Sequence, residues 1–339
     1  MQAQSELISL PQTLTEMFTR GRPDYERAVR GIRWGEAPVY VLGSVRTLPA
    51  ALAAGYAVED LLGYPAVVRE ASSFLSYTLR VLRRGSVVVA ISNQVEPDAL
   101  SLVKAVQAAR QQGAQVLAVT SPSSPLAAAA DRVFGLPDVA GAPAQGLAEA
   151  CLEHASAGDL ALIAARLLKR PQASLERLEK NWHDLPGHLD WIVSQLAAAV
   201  RSFAAELRPA GRIFFAGGGS YHSSALRAAD LARCPDRVSG IDLASLRGRM
   251  ASDAAVVFLS GSRSRLCKEA ATVAAELKAR GTAALAVTDS NDHELSHGSR
   301  LALLLPDLAE VPGSILALAV AGWTAREVAE RPRVTGASR

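Results

Sequence analysis

The residue types best suited to chemistry collect in a few short runs. Gly217-Gly218-Gly219-Ser220 follows an apolar run at 213–216, and Ser260-Gly261-Ser262-Arg263-Ser264 follows another at 255–259. Glycines let successive backbone N–H groups face one point, hydroxyls add donors, and a helix starting just beyond favours negative charge. A phosphate monoester suits such a cradle without a broad positive patch. Helix capping is the plainer reading of the serines, since Ser is a common N-cap. The earlier runs Gly43-Ser44-Val45-Arg46 and Ser92-Asn93-Gln94-Val95-Glu96-Pro97 are poorer in glycine and hydroxyls. Asn93 and Gln94 can still hydrogen-bond ligand hydroxyls, whereas Pro97 removes one backbone donor. His222 is the first acid/base candidate, because an imidazole titrates near neutral pH and this one follows a glycine-rich loop.

One motif is a decoy. His293-Glu294-Leu295-Ser296-His297 spells the H-E-x-x-H pattern of zinc proteases. It lies between two apolar runs, with too little room for the helix such a site needs, and it lacks a third ligand. A solvated turn is expected there, and no metal. No nicotinamide or other cofactor is expected either, since Gly217-Gly218-Gly219 lacks the G-x-G-x-x-G spacing: Tyr221 and His222 stand where the last glycine would be sought.

The elements that must position these residues follow from hydrophobic pattern. Short β-type runs alternate with Ala- and Leu-rich helical segments, the signature of a parallel sheet. Strands are expected at Val39–Leu42, Val67–Glu70, Val87–Ile91, Val116–Thr120 and Val133–Leu136. A second set is expected at Ile213–Ala216, Val238–Ile241, Ala255–Leu259, Ala284–Thr288 and Leu301–Leu305. The sets superimpose: Ser92 and Ser260, Gly113 and Gly281, and Thr120 and Thr288 are each 168 apart, and Leu136-Pro137-Asp138 returns as Leu305-Pro306-Asp307. This is a duplicated five-stranded βα unit. The candidate phosphate runs therefore fall at strand ends, where ligands collect in open parallel sheets.

The expected division is a helical segment over 1–30, a first domain over 31–140, a helical connector over 141–204, a second domain over 205–325 and a tail over 326–339. Pro171 and Leu185-Pro186-Gly187 should punctuate the connector, and Trp182 and Trp191 should pack its helices.

Composition bounds the rest. Of 339 residues 49% are hydrophobic and 20% charged, an ordinary globular balance. A formal charge of +3 with no dense Lys/Arg run argues against nucleic acid as a partner. Cys151, Cys234 and Cys267 are odd in number and lack metal-site spacing, so reduced thiols and a cytoplasmic location are expected. The first residues carry no secretion-signal pattern, and no apolar stretch approaches the ~20 residues that span a bilayer, so a soluble protein without membrane contact is expected.

The chain resembles the sugar isomerase (SIS) domain family over most of residues 30–335. The family's first unit reads G-T/S-S, A-S-E-F, S-Q-S-G-E-T and S-x-L-x-x-x-x-D. Here stand Gly43-Ser44, then Ala71-Ser72-Ser73-Phe74, then Ser92 to Pro97, then Ser124, Leu126 and Asp131. In the second half Gly218-Gly219-Ser220-Tyr221-His222 resembles the family's G-T-S-Y-H, and Ser260-Gly261-Ser262 keeps two family serines. The resemblance implies an α/β fold of two tandem SIS domains, each a five-stranded parallel sheet flanked by helices in a three-layer αβα sandwich. It implies a phosphosugar ligand and a homodimer.

The family holds the sugar phosphate with the hydroxyls of S-Q-S-G-E-T. Ser92 keeps the first, but Gln94 and Pro97 replace two others, so phosphate is expected mainly in the second half, with Ser220, Ser260 and Ser262 donating and Gly218, Gly219, Gly261 and Ser264 shaping the loops. Ser44, Ser92 and Gln94 are the first-half candidates. The glutamate, histidine and lysine that the family uses for isomerisation are replaced around Ala229–Cys234, Ala244–Met250 and Pro332–Ala337. Two readings stay open: an isomerase or deaminase acting on a phosphosugar with different acid/base groups, and a sensor that binds one without turnover.

Overall fold

The computed structural model describes residues 2–92, 97–139, 146–246 and 253–330. It divides into two compact units, Ser9–Pro186 and Met1–Ile8 with Gly187–Arg339. All ten expected strands are present.

The first unit opens with α2 (Leu10–Thr19) and α3 (Arg22–Arg30); α1 (Gln2–Leu7) belongs to the other unit. Then follow β1 (Val39–Gly43), α4 (Leu48–Leu62), β2 (Ala66–Glu70) and the short α5 (Ala71–Ser73), continued by a π-helical turn at Phe74–Thr78 and a 3-10 turn at Leu79–Val81. The rest comprises β3 (Val87–Ile91), α6 (Pro97–Gln111), β4 (Gln115–Thr120), α7 (Pro125–Ala129), β5 (Arg132–Gly135) and α8 (Leu147–Leu167). Every strand pair is parallel, in the order β2-β1-β3-β4-β5. The β3 run VVVAI is wholly buried, as both-face coverage of a parallel sheet requires. One face packs Val88 and Ala90 against Leu102, Ala105, Val106 and Ala109 of α6. On α3, Tyr25 stacks on Phe134 at 3.9 Å and donates to the Gly135 carbonyl at 2.7 Å.

The second unit repeats the plan with α10 (Ala197–Leu207), β6 (Arg212–Gly217), α11 (Ser220–Ala232), β7 (Val238–Asp242), α12 (Leu243–Leu246), β8 (Ala254–Leu259), α13 (Cys267–Ala279), β9 (Ala283–Asp289), α14 (His293–Gly298), β10 (Leu301–Leu305) and α15 (Glu310–Ala329). Its parallel order is β7-β6-β8-β9-β10, that of the first unit shifted by five strands. α1 is tied in by an ion pair between Glu6 and Arg326 of α15.

Two expectations about the helices are corrected. α9 (Gln172–Gln195) runs through Pro186 instead of stopping there. An interior proline costs about 3 kcal/mol, but Leu178, Trp182, Leu185, Leu189 and Ile192 form a buried stripe at helical spacing that offsets it. Trp182 does pack, with its ring 6.1 Å from Phe18, whereas Trp191 is 39% exposed. Among the described residues no helix is long and apolar enough to cross a membrane.

Candidate functional site

Strand register brings the candidate loops together. In the first unit Gly43 of β1 pairs with Ile91 of β3, so Ser44 and Ser92 begin neighbouring loops at the switch in strand order. The Ser44 N–H donates to Thr47 Oγ1 at 2.9 Å, the Thr47 N–H returns to Ser44 Oγ at 3.3 Å, and the Thr47 hydroxyl donates to the Ile91 carbonyl at 2.7 Å. This hydroxyl turn stitches the first loop to the end of β3. Thr47 was not among the expected site residues; the S-x-x-T spacing from Ser44 was the available signal. Ser92 is buried, and its N–H donates to the Val119 carbonyl at 3.1 Å. Thr120 and Ser124 share a hydroxyl–hydroxyl bond of 2.8 Å, and Ser124 caps α7 by accepting from the Ala127 N–H. Gln94 lies outside the described residues.

Glu70, at the end of β2, accepts from the Ser72 N–H and hydroxyl and from the Ser73 N–H. Burial opposes its charge, but these bonds outweigh it and hold the carboxyl below its ordinary range. It is a helix cap, not a base poised near neutrality.

In the second unit Gly217 pairs with Leu259, so Gly218 and Ser260 stand side by side in the same way. Here the donors find carboxylates. Asp289, at the end of β9, receives the Ser262 N–H at 2.6 Å and its hydroxyl at 3.1 Å, then the N–H groups of Asn291 and Asp292 at 2.9 and 3.1 Å. Glu310, at the start of α15, receives the Ser220 N–H at 3.2 Å and the Arg265 N–H at 3.3 Å. The expected phosphate donors of Ser220 and Ser262 thus serve the chain's own side chains. Ser264 accepts from the Leu266 N–H at 3.3 Å, closing its own loop. Ser260 is 4% exposed, and its hydroxyl has no hydrogen-bond partner among the described residues.

The glycines fit this arrangement. Gly219 has φ +56°, which favours glycine, and a Cβ there would lie 2.3 Å from Glu310 Oε1. A Cβ on Gly261 would lie 2.8 Å from Asp289 Oδ2. Gly218 instead lies under Leu266. Two further carboxylates border the loops. Asp307 chelates Arg263, with Nε at 2.6 Å from Oδ1, and Asp292 accepts from the Thr288 hydroxyl at 2.9 Å while capping α14. Burial, then Asp289, Glu310, Asp292 and Asp307 in turn, push the Tyr221 hydroxyl well above its ordinary pKa, so it stays protonated.

His222 lies on the first turn of α11. Burial lowers its pKa, opposed by the charge of Asp242, so the imidazole is neutral at physiological pH. His293 and His297 sit on the six-residue α14 with ring centroids 6.4 Å apart. Among the described residues no group of three His, Cys, Asp or Glu side chains is placed to hold a metal ion.

Comparison with known proteins agrees with this architecture. No curated protein matches the chain. Among solved structures, the C-terminal domain of glucosamine-fructose-6-phosphate aminotransferase from Francisella tularensis superimposes with a TM-score of 0.84 at 14% identity, covering 97% of this chain and 96% of that one. Tagatose-6-phosphate ketose/aldose isomerase from Escherichia coli gives 0.72 at 14% identity, covering 97% and 93%. Glucosamine-6-phosphate deaminase from Thermotoga maritima gives 0.69 at 13% identity, covering 97% and 94%. Identities this low speak for the fold alone. The SIS domain family matches twice, over residues 35–164 and 206–325, and the chain belongs to that family.

Proposed function

We propose that the protein binds a phosphosugar at the strand ends of its first unit, around Ser44, Ser92 and Gln94, and acts on it as an isomerase or deaminase. The observation that carries this reading is the hydroxyl set at the ends of β1, β3 and β4. Ser44, Thr47, Thr120 and Ser124 bond to one another and to backbone, so phosphate meets hydroxyl dipoles it can reorient, while the Glu70 carboxylate at the end of β2 is engaged by its own helix cap. The family and the phosphosugar chemistry in the names of its structural neighbours support the ligand class.

A second reading, a sensor without turnover, is favoured by Glu70. This carboxylate at the first unit's strand ends is committed to two helix-cap N–H bonds and one from the Ser72 hydroxyl, and the family's own acid/base residues are replaced. In the enzymatic reading His222 is the acid/base candidate to be tested by substitution.

Thermal melting of the protein with hexose 6-phosphates and with free or N-acetylated amino-sugar phosphates tests the ligand. A ligand at 100 times its Kd stabilises the folded state by about 2.7 kcal/mol, a shift of a few degrees at this size. No shift beyond that of inorganic sulfate at the same ionic strength rejects the proposal. Product analysis with the stabilising sugar then separates enzyme from sensor. The same proposal includes a homodimer, supported by the family, and a cytoplasmic location, supported by three free thiols; sedimentation as a monomer at micromolar concentration would count against the first.

A further inference from the structure

The second unit offers what a phosphate needs, and the chain fills it from within. Its strand-end loops aim the N–H groups of Ser220, Ser262, Arg265, Asn291 and Asp292, with the Ser262 hydroxyl, at two carboxylates. Convergent backbone donors of this kind are an anion nest, and bonds to an ionised acceptor are the strong ones. Gly219, which reads in the sequence as room for a phosphate, is room for Glu310, and Gly261 is room for the Tyr221 hydroxyl and Asp289 together, whose oxygens a Cβ would overlap.

The repeat shows what changed. At the 168-residue offset Asp289 answers to Ser121 and Asp292 to Ser124. Among the described residues the Ser121 side chain in the first unit meets the Ser123 hydroxyl at 3.1 Å and gathers no backbone N–H groups. A phosphate dianion entering the second unit would have to break six hydrogen bonds and then sit against the carboxylates it displaced, with Asp292 and Asp307 close by. Like charges at such distances repel strongly at partly buried sites.

We propose that Asp289 and Glu310 are resident anions that close the second unit to phosphate. The corollary, that the first unit holds the chain's one sugar-phosphate site, rests on the preceding proposal. Phosphate selectivity in this chain is then set by two carboxylates that touch no ligand, and a neutral side chain at those positions opens a second anion site.

Calorimetric titration of the full chain with inorganic phosphate at fixed ionic strength tests this. The double variant Asp289→Ser/Glu310→Gln, shown to be folded by circular dichroism, is expected to bind one more phosphate per chain than the native protein. In the native background, Ser260→Ala/Ser262→Ala is expected to leave phosphate affinity within about twofold. A folded double variant that gains no site overturns the proposal, as does a tenfold or greater loss on Ser260→Ala/Ser262→Ala. Should the double variant not fold, Asp289→Asn serves instead, since it removes the charge while leaving an acceptor oxygen for Ser262, and the same gain is expected. A native chain that binds no phosphate at all would contradict the first-unit site, while the variant's gain or failure would still decide this inference.

Discussion

The two units share a scaffold and differ in charge at the same place. Both sheets run in the same order, and the Ser92 and Ser260 N–H groups both donate to the next strand, at 3.1 and 3.3 Å. Thr120 bonds Ser124 at 2.8 Å where Thr288 bonds Asp292 at 2.9 Å, and each partner caps the helix that follows. The geometry survives duplication, while the acceptor turns from hydroxyl to carboxylate. A fold built twice can therefore keep hydroxyls after its fourth strand in one copy and set carboxylates at the matching positions of the other.

The largest expected effect is on Asp289, which is 5% exposed and takes four donors. Asp289→Ala should cost roughly 2–4 kcal/mol, because four donors, among them the N–H of buried Asp292, lose a charged acceptor. Ser121→Ala, at the matching position, should cost less than about 0.5 kcal/mol. Urea unfolding of both variants checks the contrast, and equal costs would break it.

The first unit has its own buried carboxylate, held differently. Asp159 meets Arg22 at 2.6 Å, yet burial outweighs that pairing and lifts its pKa to about 6. The folded state therefore holds this proton more tightly than the unfolded chain, whose carboxyl titrates near 3.9. Its contribution to stability is present below pH 4, is lost as pH rises to 6, and is flat above, a span of roughly 3 kcal/mol. Melting curves of the native protein and Asp159→Asn from pH 4 to 7 should converge at the acid end and separate in favour of the asparagine variant toward neutrality. Parallel curves would show that Arg22 fully compensates the charge.

Much of this was legible in the sequence, and the reasons it stopped are physical. Ten strands announce themselves because apolar runs such as VVVAI must be buried on both faces, and the offset between Thr120 and Thr288 exposes the duplication. The proline rule failed at Pro186, where the buried stripe from Leu178 to Ile192 outweighs one missing bond. Trp191 was expected to pack because aromatics usually do, but it lies off that stripe. The serine and glycine runs point to convergent donors, but not to Asp289 and Glu310, which the structure sets against those donors. Glu310 stands 90 residues from Ser220, and Asp289 stands 27 from Ser262. No local pattern links them. The one available clue was that the second repeat carries Asp where the first has Ser121.

A smaller effect sharpens the account of the glycines. Gly219→Ala should cost roughly 1–3 kcal/mol, from strain at positive φ and from displacing Glu310. Gly187→Ala, where no described residue comes within 4 Å of the added carbon, should be neutral or slightly stabilising. Loss of the Ser124 cap by Ser124→Ala should cost about 1 kcal/mol, with thermal melting as the check.

The most direct test of the difference between the units is calorimetric titration with the sugar phosphate that most raises the melting temperature, on the native chain, Ser92→Ala and Ser260→Ala/Ser262→Ala. One ligand per chain is predicted, with affinity falling tenfold or more, at least about 1.4 kcal/mol, in Ser92→Ala and staying within about twofold in the second-unit variant. Loss of binding in Ser260→Ala/Ser262→Ala with Ser92→Ala unaffected would place the site in the second unit and contradict the account.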